Sequence, residues 1–314
     1  MAKSALITGA SGLLGRQVLQ AFQRAGWEAV GTGFTRAKPP TILKVDISDS
    51  TAIEQVLDKV KPQVVVHCAA NRFPDKCEAD PDGARAVNVE STRTLAQAAS
   101  ARGIFFIYIS TDYLFSGAPG EAPYEVDSPT QPPNIYGQTK LDGEKATLEQ
   151  TKDQGLGVVL RVPVLYGSAE EPDASSVNML LDVLWKSQEK GSKIKMDDWA
   201  QRYPTNTEDV GRVCLDIAVK YLEAGDARTS LPRILQFSSE ERFTKYEICE
   251  LFADIMGLPL QGIIANKEGN DLNASVQRPY DTHLSTKALK DLGIDVRAQD
   301  FKAWWRREVK AFRR

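Results

Sequence analysis

A turn with three evenly spaced glycines follows the first apolar run of the chain and limits its fold more than any other feature. The run Ala5–Thr8 enters this turn, and a segment of helical periodicity leaves it. The turn reads Gly9-Ala10-Ser11-Gly12-Leu13-Leu14-Gly15. Glycines at such positions let the backbone approach a pyrophosphate, whose charge then lies at the helix N-terminus. The pattern predicts a dinucleotide-binding turn; the alternative is a purely structural glycine turn.

Strand-like apolar runs alternate with helix-period segments from residue 4 to about 165. The predicted strands are Ala5–Thr8, Glu28–Thr32, Ile42–Val45, Val64–Cys68, Phe105–Ile109 and Gly157–Arg161. The predicted helices lie near Leu13–Arg24, Ala52–Val60, Gly83–Ala101 and Tyr136–Gln150. Runs such as Val64–Val66 are apolar on both faces, which is typical of a parallel sheet covered by helices on both sides. We therefore predict an α/β fold, a Rossmann-type doubly wound parallel sheet.

The second half of the chain alternates less regularly after Tyr166. Strand-like Lys193–Met196 and Ile234–Phe237 are mixed with helices near Glu208–Glu223, Lys245–Met256 and Phe301–Phe312. We predict a Rossmann domain over residues 1–165 and a smaller α/β substrate-binding lobe over 166–314, with part of 204–237 returning to the main sheet. The connection 116–133 holds five of the sixteen prolines and lacks periodicity. Long loops inside α/β domains tend to be functional.

Composition excludes several classes of protein. The 39 basic and 42 acidic side chains give a net charge of −3. The chain therefore lacks the excess of basic charge that is typical of nucleic-acid-binding proteins. The apolar stretches are much shorter than the roughly 18 residues of a membrane helix, and the N-terminus lacks the pattern of a signal peptide. We therefore expect a soluble, cytoplasmic protein. The four cysteines form no CxxC pair and only two histidines could join them, so we expect no metal site.

The second predicted strand indicates which dinucleotide binds. An NAD site usually presents an acidic residue at the end of this strand, whereas an NADP site presents a cation. No acid occurs between residues 29 and 45, while Thr35 and Arg36 lie just past the strand. This favours NADP(H), with a solvated basic loop as the alternative. Asp46-Ile47 closes the third strand where an adenine edge would lie, although Asp46 could equally cap the following helix.

Tyr136 and Lys140 form a Tyr-x-x-x-Lys pattern at the start of a predicted helix, and Thr111 ends an earlier strand. Residues four apart share a helix face, so the ammonium of Lys140 can lie beneath the Tyr136 phenol and lower its pKa. Thr111 could hold a carbonyl substrate while Tyr136 donates a proton and a nicotinamide delivers hydride. Of nine tyrosines, only Tyr136 has lysine four positions later.

Together these residues resemble an extended short-chain dehydrogenase/reductase. The matching positions are Gly9, Gly12, Gly15, Ala69-Ala70, Asn88, Thr111, Tyr136, Lys140 and Arg161-Val162-Pro163. The resemblance implies that Ala69 lines the cofactor cleft together with Ala70, that Lys140 also bonds the nicotinamide ribose, and that the segment after Pro163 contacts the nicotinamide. Asn88 has an alternative role, because an asparagine inside a helix can simply satisfy backbone groups.

Longer segments narrow the resemblance. Residues 109–115 and 134–145 are similar to the dTDP-4-dehydrorhamnose reductase family. Within it, four motifs resemble the branch that contains the methionine adenosyltransferase β (regulatory) subunit: Arg72-x-Pro74-Asp75, 196–205, 244–247 and 277–279. The resemblance implies an NADPH-dependent reductase of a 4-keto-6-deoxy nucleotide sugar. The alternative is an NADP(H)-binding regulatory subunit that docks on methionine adenosyltransferase.

Several residues remain candidates for contact with the substrate. Tyr113 stands where related dehydratases usually have Glu and where dual epimerase-reductases often have Cys, which favours plain ketone reduction. Arg72, Arg202 and Arg278 could bind an anionic group such as a diphosphate, although salt bridges explain Arg202 and Arg278 equally well. His67 ends an apolar strand and is interpreted as a core histidine.

Two assemblies are considered for this chain. A homodimer is retained as a candidate. The sequence ends at Arg314, whereas the resemblance implies a longer docking tail in the regulatory subunit. We therefore expect only weak binding to methionine adenosyltransferase.

Overall fold

The computed structural model describes residues 3–270 and 274–311 of the chain. Its strands are β1 (Ser4–Thr8), β2 (Glu28–Gly33), β3 (Ile42–Lys44), β4 (Val64–His67), β5 (Phe105–Thr111), β6 (Gly157–Val162), β7 (Leu165–Tyr166), β8 (Ile194–Asp197), β9 (Thr205–Asn206), β10 (Ile234–Gln236) and β11 (Ile263–Asn266). Its α-helices are α1 (Leu13–Arg24), α2 (Ser50–Val60), α3 (Pro74–Ala79), α4 (Pro81–Arg85), α5 (Ser91–Ala101), α6 (Ile135–Gln150), α7 (Met179–Lys186), α8 (Thr207–Glu223), α9 (Lys245–Met256), α10 (Lys287–Asp291) and α11 (Phe301–Glu308). A π-helical turn, Ala86–Glu90, joins α4 to α5.

Seven parallel strands form the central sheet in the order β10-β6-β5-β4-β1-β2-β3. β1 lies between β2 and β4, with Leu6 beside Val30 on one side and Val65 on the other. The chain builds outward from β1 in one direction and then in the other, which is the doubly wound arrangement. The predicted fold class is confirmed. Because every strand runs the same way, all the carboxyl ends meet at one edge.

Helices cover both faces of this sheet. Successive side chains of a strand point to opposite faces, so Ile7 packs in one cluster and Leu6 in the other. The first cluster contains α1 and α8, for example Val18 and Ile217. The second contains α2 and α5, for example Leu57. Strands that are buried on both faces explain why the sequence shows continuous apolar runs here.

Two later segments also pack against the main sheet. β10 pairs with β6, with Ile234 beside Val159, at the edge of the sheet. Leu289 of α10 and Ile294 belong to the same hydrophobic cluster as α1 and α8. The predicted domain boundaries, 1–165 and 166–314, remain a prediction.

A separate hydrophobic core lies away from the main sheet, and we use the name smaller lobe for the elements around it. β8 and β11 form a two-stranded parallel sheet, and α7, α9 and α11 pack beside it. Trp304 and Trp305 of α11 are almost fully buried, so this terminal helix packs in the core as expected. The helix ends at Glu308, and the predicted end at Phe312 lies outside the described residues. Among residues 3–270 and 274–311, none of the helices has the length and apolar character needed to cross a bilayer.

A buried ion pair connects helix α6 to the sheet and to the loop 116–133. Nε and Nη2 of Arg161 donate to the two carboxylate oxygens of Glu144, both at 2.9 Å. Nη1 of Arg161 donates to the carbonyl of Val126 at 3.1 Å and to Oε1 of Gln236 at 3.3 Å. One guanidinium therefore joins α6, β6, β10 and the long loop.

We expect Glu144→Gln to lower the free energy of unfolding by about 3–5 kcal/mol, because Arg161 would keep an uncompensated buried charge. Asp142→Asn is the matched control, since Asp142 lies on the same helix but pairs with the exposed Arg85 at 3.3 Å. Exposed pairs contribute about 1 kcal/mol or less. Urea denaturation measures both variants, and equal losses would contradict the role given to the buried pair.

Candidate active site

The carboxyl edge of the sheet gathers the residues that the sequence analysis selected. Most candidates lie at or just beyond the end of a parallel strand, or on α6; Asn88, in the π-helical turn, and Arg202 and Arg278, in the second half of the chain, do not. In chain order these positions are Gly9 to Gly15 after β1, Thr35 and Arg36 after β2, Asp46 and Ile47 after β3, Ala69 and Ala70 after β4, Thr111 at the end of β5, Tyr136 and Lys140 on α6, and Pro163 after β6. Ligands of open α/β sheets bind at this edge.

The glycine turn lets the backbone after β1 contact both the backbone after β4 and the start of α1. Gly9 has φ +64°, and a Cβ there would lie 2.9 Å from the Cα of Ala69. A Cβ on Gly15 would lie 2.3 Å from the carbonyl oxygen of Gly9. At Gly12, in contrast, only that oxygen at 3.1 Å lies within 4 Å, so space remains beside the N-terminus of α1. Gly12 caps α1 with no side-chain hydrogen bond. This cradle suits the pyrophosphate of a dinucleotide.

The remaining turn residues differ in exposure. Leu14 packs in the core, while Leu13 and Ser11 are half-buried. A Cβ on Gly33 would lie 2.9 Å from Oγ of Ser11, so the glycine turn packs closely against the end of β2. The backbone amides of Leu13 and Leu14, at the first turn of α1, can donate hydrogen bonds to a ligand.

Basic side chains surround the end of β2. Thr35 and Arg36 are exposed. Glu170 accepts a hydrogen bond from Lys38 at 3.3 Å and lies 3.5 Å from Arg16. These cations, with Arg36 as a weaker contributor, lower the pKa of the Glu170 carboxyl. The region is suited to a phosphate group.

Asp46 holds a local turn. Its Oδ1 accepts from the backbone amide and the hydroxyl of Ser48, at 2.9 and 2.6 Å, and these bonds lower its pKa. The alternative that Asp46 caps α2 is wrong, because Asp49 does so by accepting from Thr51 and Ala52. Contact of Asp46-Ile47 with an adenine edge stays a prediction.

Lys140 is buried beneath the end of β5. Its Nζ donates to the carbonyl of Ile109 at 2.7 Å and lies 4.0 Å from the centre of the Tyr108 ring. Burial lowers its pKa to about 7, although Glu144 partly opposes this shift. The ammonium is therefore close to losing its proton at neutral pH, because the buried site disfavours the charged form.

Tyr136 is half-buried and has Thr111 as its hydrogen-bonding neighbour. Burial raises the pKa of its phenol, and the bond with Thr111 offsets only part of this rise. We expected Lys140 to lower this pKa, but the structure shows a raised value, because a phenolate is poorly solvated here. Tyr136 is thus held in its protonated form. A group that keeps its proton until reaction suits a proton donor.

Local features of α6 bring Tyr136 towards Thr111. Asn134 caps the helix by accepting from the amide of Gly137 at 3.0 Å. A Cβ on Gly137 would lie 2.1 Å from the carbonyl oxygen of Tyr113, so glycine allows the helix to touch the chain after β5. The rings of Tyr113 and Tyr136 lie 6.0 Å apart, edge to face.

Asn88 and His67 are structural residues. Asn88 accepts from the amide of Asn71 at 2.8 Å, and its Nδ2 donates to the Asn71 carbonyl and to Thr139. It therefore satisfies backbone groups after β4, which is the alternative considered for it. His67 is buried between the hydroxyls of Thr8 and Thr92, and burial lowers its pKa to about 3. Its interpretation as a core histidine agrees with these contacts.

The three arginines selected as substrate contacts already have partners in the protein. The guanidinium of Arg72 lies 4.2 Å from the centre of the Phe73 ring. Arg202 pairs with Asp197 at 2.7 Å, and Arg278 pairs with Asp75 at 3.1 Å. For Arg202 and Arg278 the structure therefore shows the salt bridges that were the alternative. Contact of any of the three with substrate stays a prediction.

Asp112 is a feature that sequence reasoning missed. It is buried beside Thr111 and accepts from Thr282 at 2.6 Å and from Thr111 at 3.1 Å. Burial raises its pKa to about 6, and these hydrogen bonds partly oppose the shift. The sequence signal that could have identified Asp112 is an acidic residue directly after a buried apolar strand.

We expect Asp112 to make stability fall with pH between about 4 and 6. Its folded-state pKa of about 6 exceeds the ordinary 3.8, so the folded state binds more protons in this window. From pH 4 to 7, Asp112→Asn should gain about 2.4 kcal/mol relative to the wild type in the free energy of unfolding. Urea denaturation at several pH values measures this. The exposed Asp153→Asn is the control, and a pH-independent difference for Asp112→Asn would contradict the assignment.

Comparisons with known proteins agree with this arrangement. The parallel sheet and its glycine turn define a Rossmann-type α/β protein. The family model described as the RmlD substrate binding domain matches residues 3–313, so the chain belongs to that family. Methionine adenosyltransferase 2 subunit beta of Rattus norvegicus is 42% identical over 293 residues, which are 93% of this chain and 83% of that protein. The predicted family resemblance is confirmed.

A reductase and two solved structures complete the comparison. The dTDP-4-dehydrorhamnose reductase of Streptomyces griseus is 37% identical over 205 residues, 65% of this chain and 62% of that protein. The crystal structure of the Bacillus anthracis dTDP-4-dehydrorhamnose reductase in complex with NADP has a TM-score of 0.81, with 21% identity and 99% of each chain covered. The Thermus thermophilus UDP-glucose 4-epimerase complexed with NAD has a TM-score of 0.78, with 20% identity and 98% of each chain covered. At these identities the structures establish a shared fold.

Proposed function

We propose that the protein is an NADPH-dependent reductase of a 4-keto-6-deoxy nucleotide sugar. The observation that carries the proposal is the position of Tyr136 beside Thr111, in a buried setting that raises the pKa of the phenol, with Lys140 behind the same strand end. These groups lie at the sheet edge where α1 begins, and the first backbone amides of a helix have no acceptor within it. The proposal is further supported by the dTDP-4-dehydrorhamnose reductases among the relatives and similar structures.

NADP(H) is the proposed cofactor, and its diphosphate would lie in the cradle beside Gly12. Arg36, with Thr35, would bind the 2′-phosphate, since the surrounding side chains are basic. The residues proposed to hold the cofactor are Gly9, Ser11, Gly12, Leu13, Leu14, Gly15, Thr35, Arg36, Asp46, Ile47, Ala69, Ala70, Asn88, Tyr136, Lys140 and Pro163. Asn88 would act indirectly, through the backbone after β4.

The proposed reaction adds a hydride and a proton to a ketone. When bound, NADPH supplies the hydride. The Thr111 hydroxyl, which donates to Asp112 in the structure, would donate to the carbonyl oxygen instead, and Tyr136 would transfer its proton to that oxygen as the alcohol forms. Tyr136 would then regain a proton from solvent, and Lys140, which lies behind the same strand end, would bond the nicotinamide ribose. Tyr113, between Tyr136 and the smaller lobe, would line the sugar site.

Association with methionine adenosyltransferase is a second candidate function. The observation that favours it is the 42% identity with methionine adenosyltransferase 2 subunit beta across 93% of this chain. A regulatory subunit could keep Thr111, Tyr136 and Lys140 as part of a cofactor site. A stoichiometric complex with the catalytic subunit, together with no NADPH oxidation on any 4-keto nucleotide sugar, would favour this candidate over the reductase.

A cytoplasmic location is part of the same proposal. All four cysteines are free thiols, and three of them are buried. Thiols persist in reducing compartments, where disulfides are rare.

We expect Arg36→Ala to weaken NADPH binding by about 1.5–3 kcal/mol, because a charge-assisted hydrogen bond to the 2′-phosphate is lost. NADH affinity should not change. Calorimetry with both cofactors measures this. Arg24→Ala, at the opposite end of α1, is the control. Equal affinity of the wild type for NADPH and NADH would rule out this assignment.

We expect Tyr136→Phe to lower turnover by about 10²–10⁴-fold while the fold and NADPH binding persist, since a positioned acid contributes this much. NADPH oxidation with a panel of 4-keto-6-deoxy nucleotide sugars is the measurement. Tyr113→Phe is the matched control and should cause a smaller loss. Full turnover in Tyr136→Phe would move the proton donor to another residue.

A further inference from the structure

Three cations and two carboxylates, contributed by α3 and by the smaller lobe, lie close enough to interact electrostatically. We call this group the Lys245 cluster; it consists of Asp75, Asp197, Arg202, Lys245 and Arg278. Arg202, Arg278, Asp197 and Asp75 all act electrostatically on Lys245. Three positive charges meet two negative ones, so the cluster keeps one positive charge.

Both arginines of the cluster are engaged with carboxylates. Nη2 of Arg202 lies 2.7 Å from Asp197, and its Nη1 donates to the carbonyl of Ala200 at 2.6 Å. Nη2 of Arg278 donates to both carboxylate oxygens of Asp75, at 3.2 and 3.1 Å. Each carboxylate therefore balances one arginine.

Lys245 is the cation that remains. It is half-buried at the first position of α9, and within the described part of the chain its Nζ has neither a hydrogen-bond acceptor nor an ion-pair partner. The nearest acid along the helix, Glu247, is committed to the capping box with Thr244 and to Arg242. Burial, with repulsion from the two arginines, lowers the pKa of Lys245 to about 8, although Asp197 and Asp75 oppose this. Such an ammonium is stabilised by a bound anion.

The Lys245 cluster adjoins the proposed reaction centre. Arg202 and Arg278 also act on Tyr113, where they oppose the rise in its pKa caused by burial. The Tyr113 ring in turn lies 6.0 Å from that of Tyr136. A ligand between Tyr136 and the lobe would therefore meet the cluster beyond Tyr113. This position lies apart from the glycine turn and from Arg36.

We propose that Lys245 binds a phosphoryl group of the substrate, and that Arg202 and Arg278 position this anion site rather than neutralise the ligand. The inference rests on the proposed function, because a nucleotide sugar carries a diphosphate. The observation behind it is the contrast between two paired arginines and one lysine that lacks a partner among residues 3–270 and 274–311. Phosphate is suited to such a point charge, which lysine supplies.

Calorimetry on the protein saturated with NADP+ tests the inference, because the saturating dinucleotide occupies the other proposed phosphate sites. The probes are dTDP, UDP, inorganic pyrophosphate and thymidine. We expect Lys245→Met to weaken binding of the tighter nucleoside diphosphate by about 10- to 100-fold, the value of a charge-assisted hydrogen bond. Lys245→Arg should restore most of the affinity. Thymidine, which has no phosphate, should bind equally to the wild type and Lys245→Met.

Lys195→Met is the matched control. Lys195 is an exposed lysine of β8 in the same lobe, so its loss changes the net charge equally. The inference is overturned if Lys245→Met and Lys195→Met bind the nucleoside diphosphate equally, or if the wild type binds neither dTDP nor UDP. Pyrophosphate binding without nucleotide binding would identify a free phosphate site and would also overturn it. Turnover is scored separately, so an inactive protein that shows the Lys245 effect would reject the reductase proposal alone.

Discussion

The buried pair of Glu144 and Arg161 is the interaction on which the candidate site depends. Both side chains are almost fully buried, and the fork of Arg161 matches the two oxygens of Glu144. Glu144 lies one helical turn after Lys140, so the pair holds the helix that carries Tyr136 and Lys140 against β6. The same guanidinium reaches the long loop through Val126. Because desolvated charges tolerate little misplacement, this pair restricts how α6 can lie on the sheet.

Close backbone contacts supply the rest of the geometry. Gly15 lets α1 approach the turn after β1, and Gly137 lets α6 approach the carbonyl of Tyr113. Any larger residue at either position would meet backbone atoms, which cannot move aside as the end of a flexible side chain can. The turn after β1 and the position of Tyr136 therefore both depend on the lack of a side chain.

Burial shifts the pKa values of the candidate site so that the neutral form of each group is favoured. It raises the pKa values of Tyr136 and Asp112 and lowers that of Lys140, so every shift favours the neutral form. A neutral phenol retains the proton that ketone reduction requires. Burial also lowers the pKa of Lys245, and repulsion from two arginines lowers it further. A bound anion would therefore stabilise the charged form of this lysine. The two ends of the proposed substrate thus meet different electrostatics, neutral at the ketone and positive at the phosphate.

The sequence by itself determined the alternation of strands and helices up to about residue 165, the parallel sheet, the turn at Gly9, the strand that ends near Thr111 and the helix that carries Tyr136. These features follow from local periodicity and turn chemistry. β5 extends to Thr111, two residues beyond its predicted apolar end, because its ladder with β6 continues to Val162. Only the tertiary structure decided the raised pKa of Tyr136, the burial of Asp112 and the ion pairs of Arg202 and Arg278 with aspartates. It also decided that Lys245 has no partner within the described residues. These properties depend on desolvation and on partners far apart in the chain, such as Asp75 and Arg278, and spacing along the sequence does not encode such distances.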